Sequence, residues 1–160
     1  MSTISGLPAH ILLNHFVVVL APLTAILLIV CALWPTARQR LVWLVLVLAA
    51  VTLAVTPLTV KAGEWLADHV GDTPPDLEIH ENAGELATWF IAVPLLVAAI
   101  LLAGLHVFAE RGRALQPVLR WAVTVVVIAL SAGTMYEIHH IGESGARAAW
   151  GGFESSAGSG

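Results

Sequence analysis

The side chains able to do chemistry in this chain gather in one layer. There are seven histidines. His10, His15, His69, His80, His139 and His140 fall near the same ends of the apolar segments, and His106 alone falls near the other ends. Glu64, Glu81, Glu85 and Glu137 share the first layer. Glu137 and His140 form an E-x-x-H pair, and Glu81 and Glu85 lie one helical turn apart, so each pair can share a helix face. Neutral imidazole and carboxylate from several helices is a ligand set that suits zinc, copper, nickel or iron. Two histidines on facing helices, such as His15 with His80 or His140, can instead hold the iron of a b-type haem axially. A carboxylate-bridged di-iron centre needs a second E-x-x-H and is disfavoured. The candidate ligand set is therefore His15, His80, Glu85, Glu64 and His140. His15 leads it, because at about 1.5 Å per residue it lies roughly 7–8 Å deeper than His10, just inside the apolar boundary. The simpler alternative is a set of solvated helix ends that pair among themselves. His106, with Glu110 four residues on, reads as an interfacial structural pair.

Four apolar segments must position these groups. They are predicted as helices over about 10–34, 41–70, 82–108 and 118–140, the second including about two turns beyond the bilayer. Each reaches the length of about 20 residues needed to cross a hydrocarbon core. Backbone groups in lipid must be paired within the segment, so helices are expected despite the many Val and Ile residues. The fold class is all-α, a four-helix transmembrane bundle in a single domain over 1–150, followed by a Gly/Ser-rich flexible tail over 151–160. The sequence GDTPP is expected to break the second helix, and Pro22 and Pro94 to kink the first and third. Polar residues inside the spans are Thr24, Thr52, Thr56, Thr88, Thr124, Ser131 and Thr134. Small residues recur four apart at Ala50 and Ala54, Ala99 and Ala103, and Ala129 and Gly133, a spacing that permits close helix packing in lipid.

Composition agrees with a bilayer environment: 58% of residues are hydrophobic and 11% charged, and the mean hydropathy is +0.87. Disorder is excluded, and a water-soluble globule could not hide this much apolar surface. Charge is sorted along the chain. Arg38 and Arg40 lie in the turn expected after the first helix, and Arg111, Arg113 and Arg120 surround the third connection. Lys61 faces Glu64, Asp68, Asp72, Asp76, Glu78, Glu81 and Glu85 in the second connection. By the positive-inside rule both basic turns face the cytoplasm, so both termini lie on the outer side of a bacterial cytoplasmic membrane. The N-terminal MSTISGLPAH lacks the basic region of a cleavable signal peptide, so the first helix is expected to remain as a span. A net charge of −4 argues against nucleic acid as a partner. Cys31 stands alone in an apolar run, without a zinc or disulfide framework.

The segments GLPAHILLNHFVVVLAPL, AGEWLADHV, HENAGE and HIGESGARAAW together resemble a bacterial four-helix membrane family, domain of unknown function 2231, common in actinobacteria. The resemblance runs from Gly6 to Trp150. Its opening pattern GLPxHPxxVH is matched at His10 and His15, with Ile11 in place of the usual proline. Its HxxxGE segment is matched at His80, Gly84 and Glu85, and AGE at Gly63 and Glu64. Its ending RIGHSGAxAxW differs here: His140 stands where arginine is usual and Glu143 where histidine is usual. The resemblance implies a setting beside Rieske and cytochrome-type redox modules.

No GxSxG, glycine-rich phosphate loop or HExxH is present, and an enzyme is not expected. The spans lack the charges of a transporter or a channel ring. The expected function is a non-catalytic accessory subunit of a larger respiratory or redox membrane assembly, in contact with lipid and with other membrane subunits. The alternative is a membrane redox protein that binds a metal ion or b-type haem through the outer His/Glu layer.

Overall fold

The computed structural model describes residues 3–4, 7–70, 86, 88–113 and 115–157. A two-residue antiparallel pair, β1 (Thr3–Ile4) with β2 (Leu7–Pro8), precedes four helices. These are α1 (Ala9–Leu33), α2 (Pro35–Val70), α3 (Val93–Glu110) and α4 (Pro117–Ala157). All four are long and apolar enough to cross a membrane, over Leu13–Leu33, Pro35–Trp65, Trp89–Glu110 and Pro117–Glu143. The chain is a multi-pass membrane protein.

The helix ends follow from local chemistry. Only Trp34 separates α1 from α2. Its N–H donates to the Val30 carbonyl at 2.8 Å, and its own carbonyl accepts from the Arg38 N–H at 3.0 Å. Pro35 opens α2 at a first-turn position, where a missing N–H costs nothing. Arg38 and Arg40 therefore lie on the first turns of α2, whereas their charge suggested a turn and a helix starting near 41. α2 runs to Val70, as the helical spacing of Lys61, Glu64 and Asp68 predicts. Its 36 residues span about 54 Å, well beyond a core of about 30 Å. The expected break at GDTPP lies outside the described residues.

α3 ends in a Schellman motif. The Arg113 N–H donates to the Phe108 carbonyl and the Gly112 N–H to the Ala109 carbonyl, both at 3.1 Å. Gly112 adopts φ +66°, the left-handed conformation this cap requires. α4 starts at Pro117, with the Gln116 carbonyl accepting from the Arg120 N–H at 3.1 Å. It continues past 140 to Ala157, taking up residues 151–157 that Gly/Ser content assigned to a flexible tail. Between them, Gly142 and the Gly151–Gly152 pair are carried by helix propagated from the long apolar span, with Ala146, Ala148 and Ala149 as favourable formers.

The prolines behave differently from one another. Pro22 and Pro57 sit inside α1 and α2 without ending them. Pro94 is not in mid-helix: a π turn, Thr88–Ala92, precedes α3 and places Pro94 in its first turn. The wider π turn absorbs the register change at a point where the proline donates no hydrogen bond.

Buried residues recur in alternating steps of three and four. They are Val17, Ala21, Thr24, Leu28 and Cys31 on α1, and Val42, Val45, Ala49, Thr52, Thr56 and Thr59 on α2. On the other two helices they are Ile91, Leu95, Ala98, Leu102 and Leu105, then Thr124, Val127, Ser131 and Thr134. A seven-residue repeat of this kind produces left-handed crossing of neighbouring helices. Each helix packs on its chain neighbours and α4 closes back on α1. α1 and α3 also meet across the diagonal, where Ala21, Ala25, Ala98 and Ala99 allow close approach. Of the three small-residue pairs, Ala99 and Ala103 are buried, but Ala50, Ala54, Ala129 and Gly133 face outward. Large apolar side chains cover the outside, among them Val19, Leu33, Val47, Leu58, Ile100 and Val125. This outside surface suits lipid, which is as apolar as the side chains it replaces.

Candidate functional site

The antiparallel order of the helices sets the start of α1 and the ends of α2 and α4 at one end of the bundle. His15 is exposed there on α1, Glu64 half-buried on α2, and Glu137 and His140 on α4 are half-buried and exposed respectively. The His140 ring stacks on Tyr136, one turn back, with centroids 6.4 Å apart and planes 19° apart. The expected E-x-x-H face thus has an aromatic neighbour on its histidine. Among the described residues no three His, Cys, Asp or Glu side chains come close enough together to hold a metal ion. His80 and Glu85 of the candidate set lie outside the described residues. The fold brings His15, Glu64 and His140 to a common end without assembling them into a ligating group.

Interior polar groups are mostly answered by their own helices. Thr24, Thr52, Thr56, Thr59 and Thr124 each donate to the carbonyl four residues back, at 2.7–3.1 Å. Such bonds let a hydroxyl lie in the packed interior without a partner on another helix. Thr134 is different: its hydroxyl reaches across to the Ile91 carbonyl in the π turn, at 3.4 Å. Ser131 Oγ, one turn away, is buried with no hydrogen-bond partner among the described residues.

The opposite end is more organised. His106 is 6% exposed at its side chain, and its Nε2 lies 3.3 Å from Glu110 Oε1, itself 63% exposed. The sequence spacing foresaw this pair; it did not foresee Trp43, whose ring meets the imidazole edge-on at 6.2 Å. The buried imidazole is held between a carboxylate at the surface and a T-shaped contact with the Trp43 ring, a structural arrangement.

Beside it lies a cavity of about 360 Å³ lined by Arg38, Leu105, Ala109, Gly112, Arg113, Leu115 and Arg120. A smaller one of about 140 Å³ adjoins it, lined by Ala32, Leu33, Pro35, Arg38, Arg120, Trp121 and Thr124. Arg38 and Arg120 border both, and among the described residues no carboxylate lines either. Arg38 is half-buried, and its guanidinium donates to the Cys31 carbonyl at 3.5 Å. Sequence reasoning used these arginines only as markers of orientation. The available signal was their presence on both connections at one end of an antiparallel bundle.

Comparison of the chain with family models, curated proteins and solved structures finds no match. The likeness to the four-helix family rests on the quoted segments alone.

Proposed function

We propose that this chain is a non-catalytic accessory subunit that docks by its outer helix faces against other subunits of a larger membrane assembly. The observation that carries this reading is the outward position of Ala50 and Ala54 on α2 and of Ala129 and Gly133 on α4. These two helices occupy the long diagonal of the bundle and are the least covered. Of the most apolar stretch of each span, 28% is buried in α2 and 22% in α4, against 50% in α3. Small residues four apart on such faces admit a neighbouring helix at close range, where packing drives association. Among the described residues most interior hydroxyls are bound to their own helix backbones, which turns attention to the outer faces. The resemblance of the quoted segments to a family found beside redox modules supports a respiratory or redox setting for the assembly. The basic end faces the cytoplasm of a bacterial inner membrane, with both termini outside.

Purification in mild detergent with cross-linking tests this. Defined membrane subunits are expected to co-isolate in stoichiometric amounts. Ala54→Leu or Gly133→Leu releases them while helicity and thermal midpoint stay unchanged. A chain that always isolates alone, or partners retained by both variants, overturns the reading. A Soret band or stoichiometric metal in the purified protein replaces it with a redox centre at the His15 end.

A further inference from the structure

Arg38, Arg113 and Arg120 come from three separate places in the chain: the first turns of α2, the α3–α4 connection and the first turn of α4. All three line the same cavity of about 360 Å³. Three arginines around one space, with no carboxylate among the described lining residues, form a positive site. Two helices begin and two end here, so their dipoles largely offset one another and the arginines supply the field. Guanidinium is the side chain best shaped to grip phosphate oxygens in pairs. The remaining lining is apolar in Leu105, Ala109 and Leu115.

A second observation fixes the depth. Trp34, Trp43 and Trp121 are exposed at this end, at 66%, 52% and 60%. Tryptophan collects at the level of lipid headgroups, so the cavity lies where phosphates of the bilayer are found. Trp121 lines the adjoining smaller cavity together with Leu33, which offers an apolar wall to the part of a ligand that enters the membrane.

We propose that this cavity binds a phosphate group through Arg38, Arg113 and Arg120. An anionic phospholipid headgroup is the source expected from the tryptophans and apolar walls; a soluble phosphate shares the same chemistry. Binding of an anionic lipid here fixes the basic end of the bundle at the membrane surface and neutralises Arg38, which is otherwise half-buried beside Arg120.

The test uses the full-length purified protein in nanodiscs of phosphatidylcholine containing either phosphatidylglycerol or none, with native mass spectrometry reporting retained lipid. Inorganic phosphate at constant ionic strength, followed by thermal shift, forms the second arm. Phosphatidylglycerol is expected to be retained over phosphatidylcholine, and Arg38→Gln with Arg120→Gln to weaken retention roughly thirtyfold, at about fivefold for each arginine. Arg113→Gln, at an exposed position that leaves the helices intact, weakens it about fivefold. Arg40→Gln and Arg111→Gln, outside the cavity, change it less than about twofold. Stabilisation by inorganic phosphate that depends on Arg38 and Arg120 supports the site with a soluble ligand as its source. Equal weakening by cavity and non-cavity arginines reduces the effect to surface charge and overturns the proposal. So does the absence of response to both phosphatidylglycerol and phosphate.

Discussion

At one end of the bundle Arg38, Arg113 and Arg120 share a cavity, while at the other His15, Glu64 and His140 form no ligating group among the described residues. The arrangement at the basic end follows from how the chain turns there. At the basic end α1 and α2 are separated by one residue, and α3 and α4 by a short connection closed by a Schellman motif. Tight reversals hold the first turns of α2 and α4 and the end of α3 at fixed positions, so charges on them have a common centre. At the other end His15, Glu64 and His140 lie within a few residues of the ends of their apolar spans, on three different helices. Among the described residues, shared residue type alone does not draw His15, Glu64 and His140 together, whereas the two short connections bring Arg38, Arg113 and Arg120 to one cavity.

Substitutions can break or sharpen this contrast. The largest effect on stability is expected from Gly112→Val. The position has open space around it but φ +66°, and a β-branched residue there costs about 1–2 kcal/mol. Its measure is the free energy of unfolding in mixed micelles, and a loss below about 0.5 kcal/mol would show that the cap does not hold the basic end. Gly142→Ala, toward the opposite end, has equal room but ordinary helical geometry. It should stabilise by roughly 0.5–1 kcal/mol, read as a rise in thermal midpoint. A fall instead would mean that the extension of α4 is not a regular helix.

Thr134→Val removes the hydroxyl that crosses from α4 to the π turn. Interhelical hydrogen bonds in membranes average about 0.6 kcal/mol, and a loss of that size is expected from the same unfolding measurement. Ser131→Ala instead removes a buried hydroxyl with no partner among the described residues, and should leave stability unchanged or raise it by up to about 0.5 kcal/mol. If Ser131→Ala proves the more damaging of the two, Ser131 has a partner that the packing does not reveal. His15→Ala is expected to have the smallest effect, leaving the absorption spectrum and metal content as in the parent protein. Loss of a bound chromophore or ion on that substitution would restore the outer layer as a centre.

Much of the fold was legible from residue order. Four long apolar runs cannot be anything but helices in lipid, and the extension of α2 to Val70 followed from Lys61, Glu64 and Asp68. Of the hydroxyl residues singled out within the spans, Thr24, Thr52, Thr56, Thr124, Ser131 and Thr134 prove buried. The Thr88 side chain lies outside the described residues, and Thr59, also buried, was not singled out. The orientation of the small-residue pairs was less legible. Ala99 and Ala103 turn inward while Ala50 and Ala54 turn outward, yet all lie in equally apolar surroundings. Hydropathy marks the inner face of a helix only where water lies outside, and here the outside is lipid. The π turn before Pro94 was also hidden, because one extra residue in a turn leaves no mark on composition.

The amino-acid order alone thus established a membrane-embedded four-helix chain with its charges sorted to opposite ends, because span length and charge placement are local properties. Which helix faces meet, and which arginines surround a common space, depended on packing. Those outcomes depend on how four interchangeable apolar surfaces fit together. The fit is settled by small residues at the α1–α3 contact, by the seven-residue repeat and by two tight reversals acting together.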